Sequence, residues 1–309
     1  MWRGGRHAVS ARLWEAGVRI DDFTEPGALM LLSHFHSDHM NGLARGGPAG
    51  KILASPSTAC LLRAIYRVPE SGVIAIAPGE SLVLDDPLPL RVTAFDANHC
   101  PGALMFLVEC DEGALFYTGD FRLDARMRET IRSLPPVDLL IVDNTYDDPR
   151  YRFPPQEDAV AQIVAIAERH HCERQVALAI YSIGKTRILE ALHARLGRPT
   201  YVSARTARIY RLLGLSHLVT REREETPLRG YGRAYFEDWF KRKREYREGR
   251  AVVIIPTGWA VDVRRPEWNF HYVPYSEHCD FHEREEFVRL VRPKLVENLL
   301  PERNQSEKC

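Results

Sequence analysis

The chain has 309 residues, 45% of them hydrophobic and 27% charged, with 42 basic and 42 acidic side chains. That length supports one large or two intermediate cores, and the composition argues against disorder. Zero net charge excludes a global basic surface for nucleic acid, so any such contact needs local patches or a metal.

In chain order, Val18-Arg19-Ile20-Asp21-Asp22-Phe23 reads as a short strand ending in two acids. Asp22 is either a supporting acid for a neighbouring site or a solvated strand end. Ala28 to Leu32 reads as a buried strand. It runs into Ser33-His34-Phe35-His36-Ser37-Asp38-His39. The chain has 12 histidines and three of them fall within six residues here, which chance seldom produces. Imidazole and carboxylate on one tight turn are the donor types that bind zinc or a similar divalent ion. A helix is expected from near Asn41. Strand-like runs follow at 51–55, 73–77, 81–84 and 90–95, with a helix over 58–66 capped by Ser57.

Two later strand ends repeat the pattern. Asn98-His99-Cys100-Pro101-Gly102 puts a histidine in a loop before the strand from Ala103, and His99 is read as a further ligand. Leu115-Phe116-Tyr117-Thr118-Gly119-Asp120 ends a strand in Gly-Asp. There the glycine allows close backbone approach, and Asp120 is placed to bridge two metals. Leu139 to Val142 ends in Asp143.

Residues 149–155 read as a linker and 156–170 as a helix. Val176 to Ile180 is a strand followed by Tyr181-Ser182-Ile183-Gly184-Lys185-Thr186. A nucleotide-binding loop is not expected, because that motif's first glycine is missing. A small-anion site using Gly184 and Lys185 at the following helix N-terminus is. A strand at 199–202 and a basic helix at 204–213 come next. The dense run Lys241-Arg242-Lys243-Arg244 is either a solvated helix face or a DNA-backbone patch with weak nuclear-import character. Strands at 251–255 and 272–275, the second leading to His278, precede a helix at 283–291. Six cysteines without a CxxC pair suit a reducing compartment. No run is long and apolar enough to span a membrane, the N-terminus has no signal-peptide core, and the tail from Pro301 reads as disordered.

Taken together, these motifs are similar to the metallo-β-lactamase superfamily, in the branch with the nucleic-acid-processing insertion called β-CASP. The match extends to the DNA cross-link-repair nucleases of the sensitive-to-nitrogen-mustard family. The carrying residues are the His34 turn, Asn98 to Gly102, Tyr117 to Arg122, Val142 to Thr145, Tyr181 to Lys185, Pro256 to Trp259 and Pro274 to His278. The resemblance covers nearly the whole chain. It implies an α/β fold: an αββα sandwich at 1–146 and 251–309, and an inserted α/β β-CASP domain at 147–250. It implies zinc as cofactor, as one or two divalent ions, with Mg or Mn as alternatives at the second position. His34, His36, His99 and Asp120 would hold the first ion; Asp38, His39, Asp120 and His278 the second. Asp22 and Asp143 match supporting acids, and Ser182, Gly184, Lys185 and Ser276, with Lys241, Arg242 and Lys243, are the expected DNA contacts.

The implied reaction is 5′→3′ hydrolysis of DNA, single-stranded or with a free 5′ end, to 5′-phosphate products, by a nuclear enzyme of cross-link or end repair; a monomer is expected. Two ions about 3.5–4 Å apart suit clamping a phosphodiester and supplying hydroxide. Asp38 and Asp143 are both open as proton acceptor. One departure stands out: where the family has two serines after the last histidine, this chain has Cys279 and Asp280. An aspartate there would repel a 5′-phosphate, which keeps open a hairpin- or flap-cutting endonuclease. RNA processing and a silent binding protein are the remoter readings.

Overall fold

In the computed structural model, residues 7–232, 249–263 and 269–301 are described. The chain divides into two compact units, one built from 1–150 and 277–309, the other from 151–276.

The first unit is a sandwich of two sheets. The strands β1 (Val18–Ile20), β2 (Leu29–Leu31), β3 (Lys51–Ala54) and β4 (Val73–Ala75) form a parallel four-stranded sheet in that order. The second sheet takes β5 (Ser81–Leu84), β6 (Leu90–Asp96), β7 (Leu104–Cys110), β8 (Gly113–Tyr117), β9 (Leu139–Val142) and a final strand at Leu295–Asn298. Its first four strands form an antiparallel meander, and its last two join in parallel. Alternate residues of both sheets meet in one core: Val18, Ile20, Leu29, Leu31 and Leu53 face Val92, Phe106, Val108, Leu115 and Ile141. Face-to-face packing of this kind buries one side of each strand, as the period of two requires.

Helices cover the outside. A helix at Phe281–Val291 lays Phe287 against the outer face of the second sheet, stacked on Phe116 with ring centroids 5.9 Å apart and 4.5 Å from Phe121. Arg128, on the helix Ala125–Arg132, clasps Glu286 with two hydrogen bonds of 2.9 and 3.0 Å. The expected helix near Asn41 is instead a 3-10 turn at Ser37–Met40.

The second unit holds one six-stranded, wholly parallel sheet. Its strands are β10 (Gln175–Ala179), β11 (Thr200–Tyr201), β12 (Val219–Thr220), β13 (Leu228–Tyr231), β14 (Ala251–Pro256) and β15 (Phe270–Val273), in spatial order β12-β11-β13-β10-β14-β15. Val176 and Leu178 pack with Ile188, Leu189 and Leu192 on one face, while Ala177 and Ala179 meet Val253 and Phe270 on the other. Burial on both faces explains the near-continuous apolar runs.

The expected boundaries at 147 and 250 shift. β14 pairs with β10 from Gln175↔Ala251 to Leu178↔Ile254, and β15 extends the same sheet. The segment expected to rejoin the first sandwich at 251 therefore stays in the second unit until Ser276. Buried-strand composition alone does not say which sheet a strand joins.

Phe287 is fully buried between two aromatic rings. Phe287→Ala is expected to cost about 3–5 kcal/mol through lost transfer energy and a residual cavity. Denaturant unfolding of the purified variant checks this.

Candidate metal centre

Seven side chains converge at the strand ends of the first unit. His34 and His36 leave the end of β2, and Asp38 and His39 lie on the 3-10 turn that follows. His99 sits between β6 and β7, where Asn98 takes a left-handed φ of 54°. That loop is fixed by the Asn98 N–H on Asp96 (2.7 Å) and by its amide on the Arg122 carbonyl (2.9 Å). Asp120 follows β8, and His278 precedes the 281–291 helix.

Asp120 is the hub. Its carboxylate lies 3.6 Å from His34 Nε2, 3.7 Å from His99 Nε2, 3.3 Å from His39 Nε2 and 3.8 Å from His278 Nε2. Gly119 has a φ of 52°, and a Cβ there would stand 2.9 Å from the Cβ of Ser33. The close approach expected of this glycine is therefore to the residue that begins the histidine turn.

The outer nitrogen of each of these four imidazoles is held from behind. His39 Nδ1 donates to Asp21 (2.7 Å), His99 Nδ1 to the Glu277 carbonyl (2.9 Å) and His278 Nδ1 to Asp143 (2.8 Å). Ser33 Oγ donates to Asp21 (2.5 Å) and so accepts from His34 Nδ1 (2.9 Å). With each Nδ1 occupied as a donor, each ring, once neutral, leaves its Nε2 lone pair facing inward, which is the tautomer a metal ligand needs. His36 turns its Nδ1 inward, 2.9 Å from His34 Nε2 and 3.2 Å from His99 Nε2.

These separations suit a divalent ion. Ligand atoms about 2.0–2.2 Å from a tetrahedral ion stand about 3.3–3.6 Å apart, and the measured spacings bracket that range. Three overlapping groups satisfy the geometry among the described residues: His34, His36, His99 and Asp120; Asp38, His39 and Asp120; and Asp120, Asp143 and His278.

The electrostatics of the metal-free site agree. Burial, reinforced by the neighbouring histidines, holds His34 well below its ordinary range, and burial does the same to His99. Burial would raise Asp120, but His39 and His278 hold it well below the usual carboxylate range. Burial also opposes charge on His278, yet Asp120 and Asp143 carry it up to about 9.

Several expectations change here. At the end of β1 it is Asp21, not Asp22, that contacts the histidine turn. Asp21 takes hydrogen bonds from His39, from Tyr117 (2.9 Å) and from the Ser33 backbone and hydroxyl. Asp22 caps its own turn by accepting from Thr24 N–H and Oγ1. A left-handed φ of 51° at Asp21 swings the two carboxyls apart, and neighbouring aspartates carry no sequence signal for that. Asp143 takes the His278 Nδ1 hydrogen bond and is fully buried.

Lys185, expected to hold an anion, is buried with its ammonium on the carbonyls of Ala179 (3.1 Å) and Pro256 (2.7 Å), at the ends of β10 and β14. Gly184 adopts a φ of 104°, and its carbonyl accepts from Tyr210. Ser276 is buried, and its carbonyl accepts from Gln156. Lys241, Arg242 and Lys243 lie outside the described residues. Asp280 caps the 281–291 helix in a reciprocal capping box with Glu283, so its charge is answered by helix N–H groups. The Cys279 thiol is buried beside the Asp143 carbonyl.

Asp21→Asn is expected to weaken metal affinity about 10–100-fold, because the ligand tautomer loses its anchor; equilibrium metal titration reads this. The sign of the pH effect follows from His278. Its folded pKa of about 9 lies above the ordinary 6.5, so its ion pair stabilises the metal-free chain below that ordinary value and is lost as pH rises through about 9. Metal uptake requires that proton to leave, so affinity should rise across the same interval.

The chain is similar to known proteins over most of its length. The family description "Beta-lactamase superfamily domain" matches residues 10–187, and "DNA repair metallo-beta-lactamase" matches 233–302. The 5′ exonuclease Apollo of Gallus gallus is 35% identical, over 86% of this chain and 57% of that protein. DNA cross-link repair protein SNM1 of Arabidopsis thaliana is 30% identical, over 86% and 59%. DNA ligase 6 of the same plant is 32% identical over 93% of this chain, but over 23% of its own length. The chain thus spans little more than half of the first two relatives. A crystal structure of a protein of unknown function from Enterococcus faecalis V583 shares the fold, with a TM-score of 0.60 at 16% identity over 90% of this chain and 80% of that one. The matched region covers more than half of the sequence and contains six of the seven converging side chains, and the chain accordingly belongs to the beta-lactamase superfamily, with a DNA repair metallo-beta-lactamase region joined to it.

Proposed function

We propose that this protein is a metal-dependent DNA nuclease, a 5′→3′ exonuclease that leaves 5′-phosphate products, acting in cross-link or end repair. The observation that carries the reading is the set of four imidazole Nε2 atoms, each within 3.8 Å of the shared Asp120 carboxylate. Relatives named as 5′ exonucleases and cross-link repair proteins support the substrate class. Zinc is the proposed ion at the histidine-rich group, and the oxygen-richer group around Asp38 admits Mg or Mn as well. When bound, the ions supply an acidified water and neutralise charge on the phosphate.

The chain's own residues do the rest. Asp120 joins the two ligand groups and fixes their spacing. Asp143 orients His278 and is fully buried, with both oxygens engaged by His278 and Thr145. Asp38 has a side chain 75% exposed, so of the two acids it is the one water reaches, and we assign it the proton. The family role supports a nuclear location and DNA with a free 5′ end as partner, and we propose a monomer. The carboxylate at 280 caps the following helix, which supports the exonuclease reading over a hairpin- or flap-cutting endonuclease.

The test is mononucleotide release from 5′-phosphorylated single-stranded DNA, with and without chelator. Chelation should abolish release and added divalent metal restore it. Asp120→Ala should lower the rate at least about a thousandfold, since it forfeits several kcal/mol of transition-state stabilisation. Persistent release in either case would refute the assignment.

A further inference from the structure

Behind the inward-facing nitrogens of the first unit lies a second buried carboxylate, Asp21. Its Oδ1 accepts the Ser33 N–H at 2.8 Å. Its Oδ2 accepts from Ser33 Oγ, His39 Nδ1 and the Tyr117 hydroxyl, at 2.5, 2.7 and 2.9 Å. A buried carboxylate met by several donors is held in one orientation, and each donor constrains the others through it.

The donors come from both sheets. Asp21 and Ser33 follow β1 and β2 of the first sheet, and Tyr117 ends β8 of the second. The Ser33 carbonyl accepts the Leu104 N–H, at the start of β7, at 2.9 Å. Gly119 leaves the same serine little room to turn, since a Cβ there would stand 3.0 Å from Ser33 Oγ. Tyr117 is fully buried. Burial, then the charge on Asp21, push its hydroxyl well above its ordinary range, so it remains a donor.

Both groups of candidate ligands are tied to this carboxylate. His39 belongs to the group with Asp38, and His34 to the group with His36 and His99. His39 reaches Asp21 directly. His34 reaches it through Ser33, whose single proton goes to Asp21 and whose oxygen accepts from His34 Nδ1 at 2.9 Å. Ser33 Oγ also lies 3.4 Å from His39 Nδ1. The Tyr117 hydroxyl donates to the carboxylate itself. Asp120 thus joins the two groups in front of the imidazoles, and Asp21 joins them behind.

We propose that Ser33 and Tyr117 are positioning residues for both ion groups, acting through the shared Asp21 carboxylate. A change behind the His34 group is then felt at the His39 group, and the two load as one unit. The proposal rests on the metal-dependent reading above, and not on which bond the ions help to cleave.

The test is stepwise titration of the whole metal-free chain with cobalt(II), read by visible absorbance and by calorimetry. Two binding steps are expected for the wild-type chain. Ser33→Ala should weaken both steps about tenfold, the lower end for partners that hold ligands from behind. Tyr117→Phe, which keeps the ring and removes only the hydroxyl, should also weaken both. A change confined to one step overturns the proposal, because the residue then acts on its own neighbour alone. So does lowered folding stability of the metal-free variants with both binding constants unchanged. Should Ser33→Ala fail to fold, Tyr117→Phe decides alone. A single step in the wild-type chain overturns the shared carboxylate while leaving a metal centre. No binding at all overturns the metal-dependent reading with it.

Discussion

The first unit is arranged around one buried carboxylate. Asp120 lies among four imidazoles, and a charge that deep is tolerated only when its neighbours are arranged to meet it. Each neighbour is oriented by a hydrogen bond on its far side: Asp21, Ser33, the Glu277 carbonyl and Asp143. Those partners come from different strand ends, so the two sheets must close before the site exists. The meander of the second sheet and the parallel ladder of the first supply the rigid frame, and the loops between them carry the chemistry.

The same division of labour holds in the second unit. Its sheet is all-parallel and apolar on both faces, and Lys185 sits at the carboxyl ends of two of its strands. Lys185 is an instructive case. A lysine after a glycine at a helix start looks like an anion donor, yet its ammonium joins two strand ends through their carbonyls. Neutral acceptors satisfy a buried ammonium as geometry allows, and the local motif does not specify which acceptors are close.

Much of this was legible in the sequence. The His34 turn, His99, Asp120 and His278 announce themselves because donor-type side chains terminate apolar runs, and strand ends are where a sheet presents function. The helix 156–170 is legible to the residue, since its periodicity is a local property. Other features depend on what no local window contains. The choice between Asp21 and Asp22 turns on one left-handed φ. The assignment of 251–256 to the second sheet turns on its pairing with a strand some seventy residues earlier. Strands at 228–231 and 295–298 were missed because they are short and interrupted by polar residues. The Cys279-Asp280 pair was read as a change at the site, whereas Asp280 belongs to the helix that follows.

That last point bears on how the centre assembles. His278 and the capping residue Asp280 are separated by a single residue. The His278 imidazole and the first turn of the helix therefore cannot order independently. An ion that favours the placed imidazole favours the wound helix by the same free energy, and the reverse holds as well. Amide hydrogens along 281–291, far from any ligand atom at the distal end, should exchange more slowly once the ion is bound. The closing helix thus reports, through its own fluctuations, whether the centre beneath it is filled.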